Sequence, residues 1–192
     1  LLICDEPTTA LDVTIQAKIL ELIKTETFGK TVIAANLIGQ RKVNTLVLVH
    51  TQALLNQWKN SLAEFLEINE KLPELPKKRG RKKERSVIGQ LGGTKNTVSG
   101  IVDIAIIQSL ISGDDVKELV KGYGMVIVDE CHHVSAVSFE RVLKEVNAKY
   151  VYGLTATPTR QDGHQPVIHM QCGPIRYLVD AREQAEKRAF DH

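Results

Sequence analysis

Short apolar runs rich in β-branched residues recur along the chain, separated by stretches in which apolar residues return every three or four positions. The clearest runs are Thr45–Val49, Asp103–Ile107, Met125–Val128 and Tyr150–Leu154. They are nearly continuous in hydrophobicity rather than alternating. Strands covered on both faces have that pattern, so it predicts a mainly parallel central sheet between layers of helix. Helical spacing falls at 10–24, 31–39, 51–68, 114–121, 135–146 and 181–190. Strand–helix–strand order puts the chain in the α/β class, as a three-layer sandwich. Residues 70–100 break the rhythm with Pro73, Pro76, a basic run and Gly92-Gly93, and are read as a loop or a partly ordered insertion.

Polar residues follow the predicted strands at His50-Thr51-Gln52, Gln108-Ser109, Asp129-Glu130 and Thr155-Ala156-Thr157. Ligands of open α/β sheets bind beyond the carboxyl ends of the strands. Four strands ending this way predict one shared site edge. Composition adds limits. The 192 residues, 43% hydrophobic and 25% charged, suit one globular domain. No apolar run reaches the roughly 20 residues that span a bilayer, so no membrane association is expected. Cys4, Cys131 and Cys172 are few and widely spaced, which favours a reducing compartment. A cytoplasmic monomer is the expectation. The net charge of +2 conceals seven basic residues in nine, Lys77, Lys78, Arg79, Arg81, Lys82, Lys83 and Arg85. Such a run is either a solvated loop or a local site for an anionic partner.

Three segments carry chemistry. Phe28-Gly29-Lys30-Thr31 precedes a helical stretch. A phosphate loop needs glycine backbone facing the phosphates, a lysine for the β- and γ-phosphates and a hydroxyl for Mg²⁺. The match is to the end of that pattern only, because Lys24 stands where its first glycine belongs and Thr27 where a further one is common. The other reading is an ordinary helix start. In the second segment, Val126-Ile127-Val128-Asp129-Glu130-Cys131-His132-His133, an apolar strand delivers two adjacent carboxylates. Asp129 is placed to hold Mg²⁺ and Glu130 to polarise a water. A metal site built from Cys131, His132 and His133 is disfavoured, because three consecutive residues do not easily converge on one ion. The third segment, Gly153-Leu154-Thr155-Ala156-Thr157-Pro158, puts two hydroxyls after a buried strand. It reads either as a link to those carboxylates or as a plain strand-to-turn junction.

Taken in this order and spacing, Gly-Lys-Thr, Asp-Glu-Cys-His and Thr-Ala-Thr-Pro resemble superfamily 2 helicases. The nearest likeness is to DEAD/DEAH-like ATPase domains of the type III restriction and excision-repair group. The resemblance implies a RecA-like P-loop NTPase fold, hydrolysis of ATP with Mg²⁺, and binding to DNA or RNA. It places Phe28, Gly29, Lys30 and Thr31 on the nucleotide, with Thr31 and Asp129 at the metal. Glu130 becomes the catalytic base, and His132, Thr155, Ala156 and Thr157 couple the nucleotide and strand sites. His50, Thr51 and Gln52 resemble a motif that lies on the nucleic-acid strand. Gly92, Gly93, Gln108 and Ser109 resemble further backbone-contacting motifs. Lys77, Lys78, Arg79, Arg81, Lys82 and Lys83 would add electrostatic affinity. Trp58 is read as either a core residue or a base-stacking platform.

A second resemblance conflicts with the first. Residues 1–24, with Leu1-Leu2-Ile3-Cys4-Asp5-Glu6-Pro7-Thr8, resemble part of an oligopeptide ABC transporter ATPase. The expected organisation is therefore a fusion remnant over 1–25, a helicase ATP-binding domain over 26–172, and at 173–192 the start of a linker to a second RecA-like domain absent from this chain. Lys24 and Glu26 beside the phosphates predict weak or absent nucleotide binding, and a missing second domain predicts slow hydrolysis. The alternatives are an ABC transporter ATPase fragment and a non-catalytic nucleic-acid-binding remnant.

Overall fold

The computed structural model describes residues 2–4, 29–70, 72, 86–129, 136–155 and 175–178. The helices expected at 10–24 and 181–190 lie outside them. Among the described residues, strands and helices alternate as β1 (Leu2–Cys4), α1 (Gly29–Arg41), β2 (Thr45–Val49), α2 (Gln52–Phe65), β3 (Ile88–Gly92), β4 (Lys95–Asn96), β5 (Val102–Ile106), β6 (Ile111–Ser112), β7 (Asp115–Val116), β8 (Met125–Asp129), α3 (Ala136–Lys144), β9 (Tyr150–Thr155) and β10 (Ile175–Leu178). Tight 3₁₀ turns occupy Ile107–Leu110 and Glu118–Gly122.

Eight strands form one sheet in the order β10-β1-β9-β8-β2-β5-β3-β4. The block from β9 to β3 is parallel throughout. β1 runs antiparallel to both β9 and β10, and β4 antiparallel to β3. Leu2–Cys4, within the segment read as a transporter-like remnant, is thus hydrogen-bonded into the main sheet.

Both faces of the sheet are covered, which is why its strands are continuously apolar. Val47, Val49, Ile104 and Ile127 face α1 and α2, where Ile33, Leu37, Leu55 and Leu62 are buried. Leu46, Leu48, Ala105, Val126 and Val128 face the other way, onto Phe139, Val142 and Leu143 of α3. Each fully buried Leu or Ile contributes about 1.5–3 kcal/mol of transfer free energy. The α/β three-layer expectation holds. The helix predicted over 31–39 is α1, that over 51–68 is α2 and that over 135–146 is α3. Arg41 ends α1 over the Tyr150 ring, 4.5 Å from its centroid, and its Nε donates to the Tyr152 hydroxyl at 3.1 Å.

Two expectations are corrected. The segment 70–100 contains β3, a strand of the parallel block, so it is not wholly a loop. Gly89 and Gln90 hide that strand. A Cβ at Gly89 would lie 2.0 Å from Asp103 Oδ1 and 2.5 Å from the Thr97 carbonyl oxygen, so close packing excludes any side chain there. The helix expected over 114–121 is instead the hairpin β6–β7 followed by a 3₁₀ turn. Ser112 pairs with Asp115 across a two-residue loop, and Gly113 adopts φ +61° at its first position. A glycine there favours a tight hairpin and overrides the helical spacing. The same device closes β3–β4, with Gly93 at φ +57°.

Asp103, near the start of β5, is fully buried. It accepts from the Ser99 N–H at 2.7 Å, the Gly100 N–H at 2.7 Å and the Tyr123 hydroxyl at 2.8 Å. Burial first, and the neighbouring Asp103 second, push the Tyr123 hydroxyl well above the ordinary tyrosine range. This network pins the 97–101 turn to the sheet.

Candidate nucleotide and strand site

Because β2, β5, β8 and β9 are parallel, their carboxyl ends share one edge. That edge carries His50, Gln108, Asp129 and Thr155, as the strand-end pattern predicts. The chain leaves β2 toward α2 on one face and leaves β8 toward α3 on the other. In open sheets with helices leaving adjacent strands on opposite faces, ligands sit in the crevice between those strand ends.

α1 begins at the crevice. Gly29 and Thr31 are buried in its first turn. The first four N–H groups of an α-helix have no partner within the helix and carry the positive end of its dipole, which favours phosphate. Lys30 reaches across to β8, its Nζ 3.5 Å from Asp129 Oδ1. The lysine side chain keeps 21% of its surface exposed and the aspartate side chain only 2%. The cation is thus accessible from the crevice while the carboxylate is held inside.

The second oxygen of Asp129 is held from below. Trp58 on α2 donates its indole N–H to Asp129 Oδ2 at 2.6 Å, and Trp58 is 2% exposed. Burial rules out base stacking by Trp58 in this structure. The sequence offers Trp58 only as core or platform and does not reveal this bond. The available signal is that Leu55, Trp58 and Leu62 fall on one buried helical face, where an indole N–H requires a polar partner. The next residue, Lys59, donates to Gln90 Oε1 of β3 at 2.9 Å and ties α2 to the sheet.

At the same edge, Thr51 caps α2 with extended backbone, its hydroxyl accepting from the Leu54 N–H at 3.2 Å. His50 is half-buried, and Gln52 is exposed beside Gly93, where an added Cβ would lie 3.1 Å from Gln52 Oε1. Gly92 ends β3 at this edge. Gln108 is exposed and Ser109 half-buried on the 3₁₀ turn after β5. Thr155 is buried at the end of β9. Phe28, Glu130, Cys131, His132, His133, Ala156, Thr157 and the basic run Lys77, Lys78, Arg79, Arg81, Lys82, Lys83 and Arg85 lie outside the described residues.

The donors present fit a magnesium nucleotide. The Thr31 hydroxyl and the Asp129 carboxylate are hard oxygen donors of the kind Mg²⁺ takes. The partly exposed Lys30 ammonium at a helix N-terminus supplies positive charge for phosphate. No described helix is long and apolar enough to cross a membrane.

Comparison with known proteins agrees with this geometry. Residues 16–160 match the family described as "Type III restriction enzyme, res subunit". The chain is 28% identical over 83% of its length to the DNA 3'-5' translocase XPB2 of Sulfurisphaera tokodaii, covering 31% of that protein. It is 31% identical over 77% of its length to putative helicase 109L of Invertebrate iridescent virus 3, covering 41% of it. The chain thus covers only 31% and 41% of the length of these two relatives. Its fold resembles the UvsW helicase of bacteriophage T4 (TM-score 0.53, 16% identity, 83% of this chain and 49% of that one). It also resembles a hypothetical ATP-dependent RNA helicase from Sulfolobus tokodaii (TM-score 0.56, 16% identity, 85% and 51%). The chain belongs to the type III restriction enzyme res-subunit family of superfamily 2 helicases, and its sheet is their RecA-like ATP-binding domain.

Proposed function

We propose that this chain is the nucleotide-binding half of an ATP-driven nucleic-acid translocase or helicase. The observation that carries the reading is the Lys30–Asp129 pair, which joins the Gly-Lys-Thr and Asp-Glu segments in one crevice at the strand ends. Lys30 and the α1 N-terminus hold the β- and γ-phosphates, and Thr31 and Asp129 hold Mg²⁺. When bound, the metal neutralises charge that develops on the transferring phosphoryl group. Glu130, next along the chain, orients the attacking water. His132, Thr155, Ala156 and Thr157 couple that site to the strand.

His50, Thr51, Gln52, Gly92, Gly93, Gln108 and Ser109 follow the ends of neighbouring parallel strands and form the face for a DNA or RNA backbone. Contacts of this type position a strand without reading its sequence. The basic run at 77–85 adds salt-sensitive affinity. The names of the similar proteins include both a DNA 3'-5' translocase and ATP-dependent RNA helicases, so the strand is DNA or RNA. The 192 residues alone bind Mg²⁺·ATP weakly, near a millimolar Kd or about −4 kcal/mol, because Lys24 and Glu26 interrupt the phosphate-loop pattern. The domain boundary at 25–26 and a second RecA-like domain that completes the site are parts of the same proposal.

ATP turnover by the chain joined to a second RecA-like domain, measured with and without single-stranded DNA, tests this reading. Strand-stimulated turnover that Lys30→Ala abolishes is expected. Strand binding with no turnover favours a non-catalytic remnant instead.

A further inference from the structure

The contact between Trp58 and Asp129 has no role in the reading above. It joins a residue of the proposed nucleotide site to the helix that begins at the proposed strand interface. We propose that Trp58 is a positioning residue for Asp129, and that α2 transmits strand binding at Thr51–Gln52 to that carboxylate. The inference rests on the proposed nucleotide site and extends it.

Three features support it. First, the bond is directional. The indole N–H donates to Asp129 Oδ2 at 2.6 Å, while Lys30 Nζ forms an ion pair 3.5 Å from Oδ1, so the directional hydrogen bond orients the carboxylate from the α2 side. A hydrogen bond to an ionised acceptor is about twice as strong as a neutral one. Second, the route is short and rigid. Trp58 lies seven residues, about two helical turns, beyond the Thr51 cap. Helical side chains lean toward the helix N-terminus, which carries the indole back toward the strand ends. Third, α2 cannot shift without moving this bond. Leu55, Trp58 and Leu62 are buried on the sheet, and Lys59 is bonded to Gln90 of β3, the strand that runs up to Gly92 and Gly93. A strand seated on Gln52 and Gly93 therefore loads the same helix at its start. An ordinary core tryptophan fills space and satisfies its N–H on any acceptor. Here the acceptor is the residue proposed to hold the metal, and partners that orient metal-binding side chains set affinity by about 10- to 100-fold.

Trp58 is the single tryptophan of the chain, so a ¹⁵N-labelled sample gives one indole N–H signal that reports this contact alone. Without ligand, the signal is expected downfield, with solvent exchange slowed about tenfold by the charged acceptor. Asp129→Ala moves it upfield and releases that protection. If Asp129→Ala does not fold, Asp129→Asn shifts the signal in the same direction by less. An indole signal unmoved by either substitution overturns the proposal. Trp58→Phe keeps the apolar bulk and removes the donor. It is expected to raise about tenfold the Mg²⁺ concentration that gives half-maximal thermal stabilisation at fixed millimolar ADP. A Trp58→Phe chain that is merely less stable, with an unchanged Mg²⁺ midpoint, overturns the positioning role. Addition of a single-stranded oligothymidylate is expected to move the indole signal, and a static signal at saturation overturns the α2 link. A wild-type chain that ADP never stabilises in an Mg²⁺-dependent way contradicts the nucleotide site itself, and this separates failure of that reading from failure of the Trp58 role.

Discussion

Asp103 near the start of β5 and Asp129 at the end of β8 are both buried in one sheet, yet they are held in different ways. By strand register Asp103 is level with Leu46 and hence with Val126, three residues below Asp129. Two backbone N–H groups of its own turn and one phenol donate to Asp103, so both its oxygens are bonded. Its partners fix a loop, and none comes from α1 or α2. Among the described residues, Asp129 is contacted by the side chains of Lys30 on α1 and Trp58 on α2. Backbone donors cannot move without unfolding the turn, whereas a lysine side chain can turn toward an incoming phosphate. The difference in donors separates a carboxylate tied to its own turn from one tied to side chains of two other elements.

The largest effect expected from that contrast is on Asp103. Asp103→Ala strands the buried Ser99 N–H and the Tyr123 phenol, at about 1–3 kcal/mol each, and frees the part-buried Gly100 N–H. Urea unfolding should show a loss of about 3 kcal/mol or more, with Mg²⁺·ADP affinity unchanged in the folded fraction. A small loss would place Asp103 in the same class as Asp129. Gly89→Ala should cost about 1–3 kcal/mol by the same assay, since its methyl meets Asp103 Oδ1 and backbone at contact distances no Cβ tolerates. Tyr123→Phe is expected to cost about 1 kcal/mol near neutral pH.

The Tyr123 effect carries a pH signature. In the unfolded chain this hydroxyl ionises near its ordinary value of 10.0, while the folded chain keeps it protonated above that. Above about pH 10 the unfolded state therefore binds fewer protons than the native state, and stability falls as pH rises. Relative to Tyr123→Phe, which has no such proton to lose, the wild type changes its stability only once the pH passes that ordinary value. A difference between the two proteins that stays constant from pH ~8 to pH ~11 would contradict a raised Tyr123. The smallest stability effect belongs to the basic run. Replacing its seven lysines and arginines with serine should leave the urea midpoint in place and flatten the dependence of DNA affinity on salt. An unchanged slope refutes its electrostatic role.

The sequence and the structure agree where one physical rule dominates. Two-sided burial makes β2, β5, β8 and β9 visible as apolar runs, and parallel pairing then brings their polar ends together. β3 is invisible to such a pattern because Gly89 is dictated by the approach of Asp103 and Gln90 by its bond to Lys59. Both are long-range contacts that leave no local signature. The 114–121 segment misleads because Gly113 sets a hairpin whose flanking residues happen to be spaced like a helix. In the proposed site, motif order pairs the segments that the Lys30–Asp129 contact brings together. Trp58 is legible as buried, but its acceptor lies across the fold on β8. No spacing rule links the two.

In the proposed function Asp129 and Lys30 form a magnesium-nucleotide site, whereas Asp103 does not. Calorimetric titration of Mg²⁺·ADP into the wild-type chain and into Asp129→Asn tests it most directly. Saturable binding near a millimolar Kd that requires Mg²⁺ is expected, weakened about tenfold or more in the variant. Equal affinity in the two proteins, or affinity independent of Mg²⁺, would contradict it.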